Sequence, residues 1–398
     1  MLISVITPTH RTDHLLSAYA SLQSQAYRKF EWILLPNGAC GTLPGAILED
    51  PRVRVIQPAI PISGNIGALK RLCCDAARGE LLVELDHDDM LHSTALTRLA
   101  AAYCRQVDGF FYSDVAYFRD EEGQPPVVFD PLHGWEDYET TLDGVYRVAM
   151  KAFDVTPRSL SEVLYAPDHV RAWSRRAYDR AGGHNSSLPV LDDLDLLVRT
   201  YLAGVPFVYL NSCEYLYRYH AGSTSQQRAG DIARLGPQIR DQYFAELLQE
   251  WLRRESLEQL RLDAGDYHSL GKLAENAYGQ IILEPAFLPT LTGDQATLAM
   301  NAIYRALIPG GYLTLAAPYS RGSLADAPHY QSHWNRHSLE YYTDQRFARQ
   351  LPGSISRFQL IRYELQDLSP SEPSAYRLQM TADLAALKGQ RQPGIIKI

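Results

Sequence analysis

Short aliphatic runs and stretches of helical spacing alternate along the first ninety or so residues. LISVITP (2–8), FEWILL (30–35), VRVIQP (53–58) and ELLVELD (80–86) read as strands. HLLSAYASLQSQ (14–25) and GALKRLCCDAARG (67–79) carry apolar residues at helical intervals, and Gly79 is placed to cap the second. Strands alternating with helices predict a mostly parallel α/β sheet with helices on its faces. Sheets of that kind bind ligands beyond the carboxyl ends of their strands.

The pattern continues with a helix over 93–106, a strand GFFYSDVAYF (109–118), a polar turn RDEEGQ (119–124) and a less regular stretch to about residue 164. RAWSRRAYDRAGG (171–183) and DLDLLVRTYLAG (193–204) read as helices, and PFVYL (206–210) as a strand. PQIRDQYFAELLQEWLRRES (237–256) is amphipathic and opens on proline, which suits a first helical turn; it is expected to connect two domains. A second strand–helix pattern follows in LEQLRLDAG, YGQIILEP, ATLAMNAIYRALI and PGGYLTLAAP, with PGG as a turn and SPSEPSA (369–375) as a loop. The expected organisation is an α/β domain over 1–232, a connecting helix over 233–256, a smaller Rossmann-like domain over 257–390 and a tail over 391–398.

Composition narrows the class. With 46% hydrophobic and 21% charged residues, 398 residues can build two cores. A net charge of -8 argues against a general binder of nucleic acid or anionic membranes. Five cysteines, odd in number and without C-x-x-C spacing, read as reduced thiols. MLISVITPTHR lacks the basic start of a signal peptide, and no stretch approaches the ~20 apolar residues of a spanning helix. A cytoplasmic protein without membrane insertion is expected.

The chemistry concentrates in LLVELDHDDML (81–91), where a buried strand ends in Asp86, His87, Asp88 and Asp89. Asp86 and Asp88 form a D-x-D that suits Mg²⁺ or Mn²⁺, hard cations that take oxygen ligands and share them with phosphates. The plain alternative is a solvated acidic turn in which Asp89 caps the next helix. GNIGALKR (64–71), just upstream, places Lys70 and Arg71 where a diphosphate or ribose would be met.

VITPTHR, FEWILLPNG, GNIGALKRLCCDAARGELLVELDHDDML, LPVLDDLDLLVRTYLAG and YRYHAGSTSQ, in that order, resemble family 2 glycosyltransferases of the GT-A fold. The likeness covers about the first 230 residues. It implies transfer of a sugar from a nucleotide diphosphate sugar to an acceptor hydroxyl, usually with inversion. Thr7, Pro8 and Arg11 would then line the nucleotide pocket after the first strand. Asp86 would face ribose and metal, Asp88 would bind the metal, and His220 would complete metal and diphosphate binding. LDDLDLLVR matches the family's acidic segment, so Asp193 would be the general base with Asp192 beside it. A second carboxylate and a pocket wall are expected to raise the Asp193 pKa. Where the family commonly has two aspartates after the second strand, this chain has Pro36-Asn37; Asn37 can still read a pyrimidine edge, so a UDP-sugar is favoured.

Residues 279–390 resemble the later half of class I S-adenosylmethionine methyltransferases, in GQIILEPAFLPTL, AIYRALIPGGYLTLAAP and YRLQMTADLAALK. The glycine-rich turn and the acidic strand end that hold the cofactor are missing, so no S-adenosylmethionine is expected. His329, His333, Trp334, His337, Tyr341 and Tyr342 read as packing and turn residues, with acceptor recognition as the other use. Two further readings stay open: a methyltransferase or bifunctional enzyme, and a non-catalytic sugar-nucleotide scaffold. The acceptor is open between a surface glycan, a protein, a small molecule and a hydroxylated nucleobase, and a homodimer is compatible with the chain.

Overall fold

The computed structural model of the chain describes every residue except 39, 59–61, 63, 121–126, 130, 132–133, 164–166, 369–376 and 390–398. Most of the RDEEGQ turn, the SPSEPSA loop and the 391–398 tail therefore lie outside the described residues. The chain divides into two units, Met1–Pro131 with Trp135–Leu247, and Leu248 onward. That boundary falls inside one helix, Ala229–Arg254, which holds Pro237 in its interior. The expectation that Pro237 opens the helix is corrected: the preceding turns are already helical, and the proline only forfeits one backbone bond there.

In the first unit ten strands form one sheet among the described residues. They are β1 Ile3–Thr9, β2 Phe30–Pro36, β3 Val53–Val55, β4 Leu81–Glu84, β5 Met90–Leu91, β6 Phe110–Phe118, β7 Asp137–Leu142, β8 Val145–Met150, β9 Arg171–Ser174 and β10 Phe207–Arg218. Their order is β3-β2-β1-β4-β9-β6-β10-β5, with β8 on β6 and β7 on β8. β1 to β4 are mutually parallel, and β6 is parallel to β10. β9 runs antiparallel between β4 and β6 and joins the two groups. β4 and β6 are buried throughout, which is why they read as continuous apolar runs.

Three local expectations change. RAWS is strand β9, not helix, because Arg171 finds charged partners inside the sheet; only Arg175–Arg180 is helical. The irregular stretch before residue 164 contains the β7–β8 hairpin. Gly79 does not cap the helix Ile66–Ala76, which ends two residues earlier on Ala77 in extended conformation. A Cβ at Gly79 would lie 2.7 Å from Leu2 O and Ser4 N, so this glycine serves the close approach of β1.

The second unit holds β11 Glu258–Leu262, β12 Tyr278–Leu283, β13 Leu307–Pro318, β14 Phe358–Asp367 and β15 Leu378–Ala386 in the order β11-β12-β13-β15-β14. The first three are parallel, and β15 is antiparallel to β13 and β14. Helix Gly293–Ala306, closed by a Thr292–Gln295 capping box, packs Ala299, Met300 and Ile303 with Leu313, Leu315 and Leu384. PGG is not a separate turn: it lies within β13, where the register against β12 shifts, and Gly310 takes φ of 76°. Trp251 packs on Tyr312, and Leu252 fills the space a Cβ at Gly279 would need, so the end of the long helix meets the central strands β12 and β13. Trp334 and Tyr342 stack in the core, while His329, His333 and His337 are exposed.

Candidate active site

The acidic turn after β4 is braced by side chains and backbone of β10. Tyr215 on β10 accepts a hydrogen bond from Asp86 N at 3.1 Å and donates its hydroxyl to Asp89 Oδ2 at 2.9 Å. Arg218 N donates to Asp89 Oδ1 at 2.7 Å, and Arg218 Nε to the Asp88 carbonyl at 2.7 Å. Asp89 is thus an internal brace, not the cap of the next helix, whose N-cap is Thr94. Burial, then the charges of Asp88 and Asp86, push the Asp89 carboxyl well above its ordinary value.

Asp88 faces the other way. Its Oδ2 lies 2.8 Å from His220 Nε2, and its Oδ1 lies 3.8 Å from His87 Nδ1. Gly222 N donates to His220 Nδ1 at 3.2 Å, which leaves the imidazole proton on Nε2, toward Asp88. Burial opposes the Asp88 charge, but His87 and the His220 hydrogen bond outweigh it and hold the carboxyl below the usual range. Arg11 donates to the Gly222 carbonyl at 3.2 Å, and its Nε has no hydrogen-bond partner among the described residues. A Cβ at Gly222 would come within 3.0 Å of both Arg11 and His220, so glycine allows these two side chains to meet.

Behind the turn, Glu84, Asp192 and Asp193 meet Lys70, Arg171 and His184. Lys70 Nζ lies 2.9 Å from Glu84 Oε2 and 4.0 Å from Asp192 Oδ2. His184 bridges Glu84 and Asp192 at 3.1 Å each. Burial works against the His184 charge, yet Asp192 and Glu84 raise its pKa well above the ordinary value; burial is likewise outweighed at Glu84, which Lys70 and His184 hold low. Lys70 is therefore a buried counter-ion, and the expectation that it offers itself to a diphosphate is corrected. Gly67 makes this possible: a Cβ there would lie 2.3 Å from Asn185 O and 3.0 Å from Asp192 Cβ.

Helix Asp192–Leu202 starts after Leu191, a non-glycine residue at φ of 60°, and carries Asp192, Asp193 and Asp195 in its first turn. Asp195 pairs with Arg199, whose Nη2 donates to the Gly183 carbonyl at 2.8 Å, tying the helix to the preceding loop. Asp193 keeps 24% of its side chain exposed and accepts from Arg171 Nη1 at 2.5 Å and from Leu194 N at 2.8 Å. Its pKa is lowered, not raised as expected: burial and Glu84 push it up, but Arg171 and Lys70 dominate. Arg171 also lies 3.9 Å from Glu84 and 3.8 Å from Asp168, and its charge senses Asp86. It stands between the two carboxylate groups.

Other expected residues divide. Thr7 is fully buried, donates to Leu85 O at 2.7 Å and accepts from Trp32 Nε1 at 2.8 Å, so its side chain is spent inside the sheet. Pro8 is half-buried near the end of β1. Asn37 donates through Nδ2 to Thr9 O at 3.0 Å, leaving its carbonyl oxygen to accept. Arg71 points to Asp75 and the Gly182 carbonyl, away from Asp86 and Asp88. Sequence reasoning missed Glu84, Arg171 and His184; a charged residue inside each of two short strand runs was the available signal. Among the described residues, no three His, Cys, Asp or Glu side chains form a metal cage by themselves.

No family model matches the chain. A stretch of 104 residues is 34% identical to Uncharacterized protein y4gI of Sinorhizobium fredii (strain NBRC 101917 / NGR234), covering 24% of this chain and 11% of that protein. TarS of S. aureus aligns in three dimensions with a TM-score of 0.42 at 19% identity, over 63% of this chain and 44% of that one. Its 1-349 fragment in complex with UDP aligns with a TM-score of 0.42 at 16% identity, over 77% and 80%. Agreement at that level carries no argument about this chain. No helix among the described residues is long and apolar enough to cross a membrane.

Proposed function

We propose that this chain is a GT-A glycosyltransferase that moves a sugar, with inversion, from a nucleotide diphosphate sugar to an acceptor hydroxyl. The observation that carries the reading is that Arg171, paired with Asp193 at 2.5 Å, opens β9 beside β4, whose carboxyl end leads into the Asp86–Asp88 turn. The motif order that resembles family 2 glycosyltransferases supports it independently.

The residues fit a divalent cation. Asp88 Oδ2 and His220 Nε2 lie 2.8 Å apart, close to the ~3 Å between neighbouring ligands of an octahedral ion with ~2.1 Å bonds. Such ions rely on one or two carboxylates and complete their shell with substrate phosphates, so the absence of a third side chain is compatible. Asp88 and Asp86 would hold Mg²⁺ or Mn²⁺, whose charge would neutralise a diphosphate leaving group, and His220 would join them through Nε2 with its proton moved to Nδ1 in place of the Gly222 N bond. Arg11, with an unused Nε, adds a cationic donor beside them.

Asp193, ionised under Arg171, takes the proton of the acceptor hydroxyl. That oxygen forms the new bond to the anomeric carbon while the carbon–oxygen bond to the diphosphate breaks, leaving its electron pair on the phosphate oxygen. Asp193 is ionised at neutral pH as an ordinary carboxylate is, and Arg171 lowers its basicity further, so its part as base rests on position and not on a tuned pKa. The second unit takes no S-adenosylmethionine in this reading, since β11 runs into a short 3₁₀ helix, Ala264–Lys272, capped by Asp263, in place of a glycine-rich turn and α-helix. Hydrolysis and binding assays with UDP- and GDP-sugars, with and without EDTA, test the proposal. Metal-dependent binding lost in Asp88→Asn is expected; unchanged binding and turnover in EDTA defeats the metal assignment, and absence of any nucleotide binding defeats the whole reading.

A further inference from the structure

Arg228 has no part in the roles above, yet it joins three segments that carry the site. It closes the one-turn helix Thr224–Gln227, which follows His220. Ser223 N donates to the His220 carbonyl at 3.2 Å, Gln227 N to Ser223 O at 3.0 Å and Arg228 N to Thr224 O at 2.9 Å. A run of tight turns therefore carries the placement of His220 on to Arg228. Nη1 of Arg228 donates to two carbonyls from elsewhere in the chain, Gly64 O and Pro189 O, at 3.0 Å each. Nε and Nη2 both meet Asp231 Oδ2, at 3.1 and 2.7 Å, which holds the plane of the guanidinium and balances its charge. An ammonium is a point donor and lacks that fork.

Both carbonyls stand next to the chemistry. Gly64 precedes Asn65, which caps helix Ile66–Ala76 by accepting from Ala68 N at 2.9 Å and donates Nδ2 to Ser186 O at 2.6 Å. Pro189 lies two residues before Leu191, whose φ of 60° sets the start of the helix that bears Asp193. The segment 185–191 is thus fastened at Ser186 to Asn65 and at Pro189 to Arg228. Arg171 fixes the Asp193 carboxylate from inside the sheet; Arg228 fixes the backbone that leads to it, from the His220 side. We propose that Arg228 is the positioning residue that sets Asp193 against the His220 side of the site, so that a nucleotide diphosphate held at Asp88 and His220 steadies the base-bearing segment. The proposal rests on the glycosyltransferase reading and adds the link between its leaving-group side and its base side. A base displaced by about 1 Å from its working position can cost ~10²-fold in rate, so a residue outside the reacting groups governs turnover without governing donor affinity.

Peptide-resolved hydrogen exchange on the full chain, with and without UDP and Mg²⁺ (GDP where UDP does not bind), tests this. In the wild type, amides of residues 185–195 should gain protection when the nucleotide binds. In Arg228→Met, calorimetry should show nucleotide affinity within about threefold of wild type, while the nucleotide-linked protection at 185–195 is lost. A purely structural role would raise exchange there with and without nucleotide and leave that difference in place. Arg228→Lys, which keeps the charge and one donor, should restore part of it, and serves as the test where Arg228→Met fails to fold. In hydrolysis of a UDP-sugar, Arg228→Met should lower kcat roughly ten- to a hundredfold with donor KM nearly unchanged. No added protection at 185–195 in the wild type despite bound nucleotide, or the same protection in Arg228→Met, overturns the role of Arg228 and leaves the glycosyltransferase reading intact. A loss of nucleotide affinity beyond about tenfold in Arg228→Met also overturns it, by making Arg228 part of donor binding. If no nucleotide binds at all, both readings fall together.

Discussion

The two sheets bury polar side chains in opposite ways. In the second unit a ladder crosses all five strands: Gln259 to Gln280 at 2.5 Å, Gln280 to Thr314 at 2.8 Å, Thr314 to Asp383 at 2.6 Å, and Arg362 to Asp383 at 3.3 Å. It is mostly neutral, runs across the strands, and each member meets the next. In the first unit the polar residues are ionised, gather at strand ends, and leave lone pairs or protons without partners at His87, His169 and Arg11. A satisfied neutral ladder gives a sheet its register and has nothing left over for a ligand. An ionic cluster with unspent capacity is costly unless a substrate completes it, which is the signature of a site.

The strongest test of that contrast is Asp193→Asn. If the first cluster exists for chemistry, turnover should fall ~10²–10⁴-fold with donor affinity little changed, the scale of a lost general base. A collapse of donor binding measured by calorimetry would instead make Asp193 structural, like the ladder. Next comes Lys70→Met, which strands Glu84 and Asp192 as uncompensated buried charges; about 3–5 kcal/mol of lost stability is expected in urea unfolding. A loss below about 1 kcal/mol would mean that His184 alone neutralises the pair.

Acid separates the buried carboxylate clusters of the two units by sign. Glu84, Asp88 and Asp193 have lowered folded pKa values. They stabilise the fold above the ordinary carboxylate range of ~3.9–4.3 and lose that contribution as pH falls through their folded values. Asp383 is raised by burial, so its contribution is present below the ordinary value and is lost as pH rises through the raised one. Asp89 shares the Asp383 sign and only partly offsets its neighbours. Acidification from about pH 6 to about pH 3 should therefore open the first unit before the second. Peptide-resolved hydrogen exchange reads this directly, and earlier opening of β12 and β13 would break the comparison. The smallest effect is expected from Asp383→Asn, where Thr314 can still donate to the amide oxygen: a change under about 1 kcal/mol in thermal unfolding. A larger loss would show that the ladder needs its carboxylate beside Arg362.

The acidic turn was readable because ELLVELDHDDML writes a buried strand and its polar end in one run. The motif order implied that Asp88 and His220 lie together and that Asp193 opens a helix, and both placements are seen. Lys70 was misread because its side chain extends inward from a helix face that looked amphipathic, and burial of a lysine is visible only through Glu84 and Asp192. Arg171 was hidden for a similar reason: four residues of strand around an arginine imitate the start of the helix that follows. The sign of the Asp193 shift failed with it, because the deciding cation lies on β9, far from the helix in sequence.

By itself the sequence determined an α/β class and the parallel β1–β4 core, since the alternation of strand and helix periods dictates which faces must be buried, whereas the antiparallel pairings of β5, β7, β8 and β9 were decided only in the fold. It also determined which carboxylates follow β4. The tertiary structure alone decided their charge partners and their protonation. The 3.8 Å approach of His169 to Asp86 joins the segment before β9 to the turn after β4. Electrostatic pairing acts over a few ångströms in space, whatever the separation along the chain, so no local pattern encodes it.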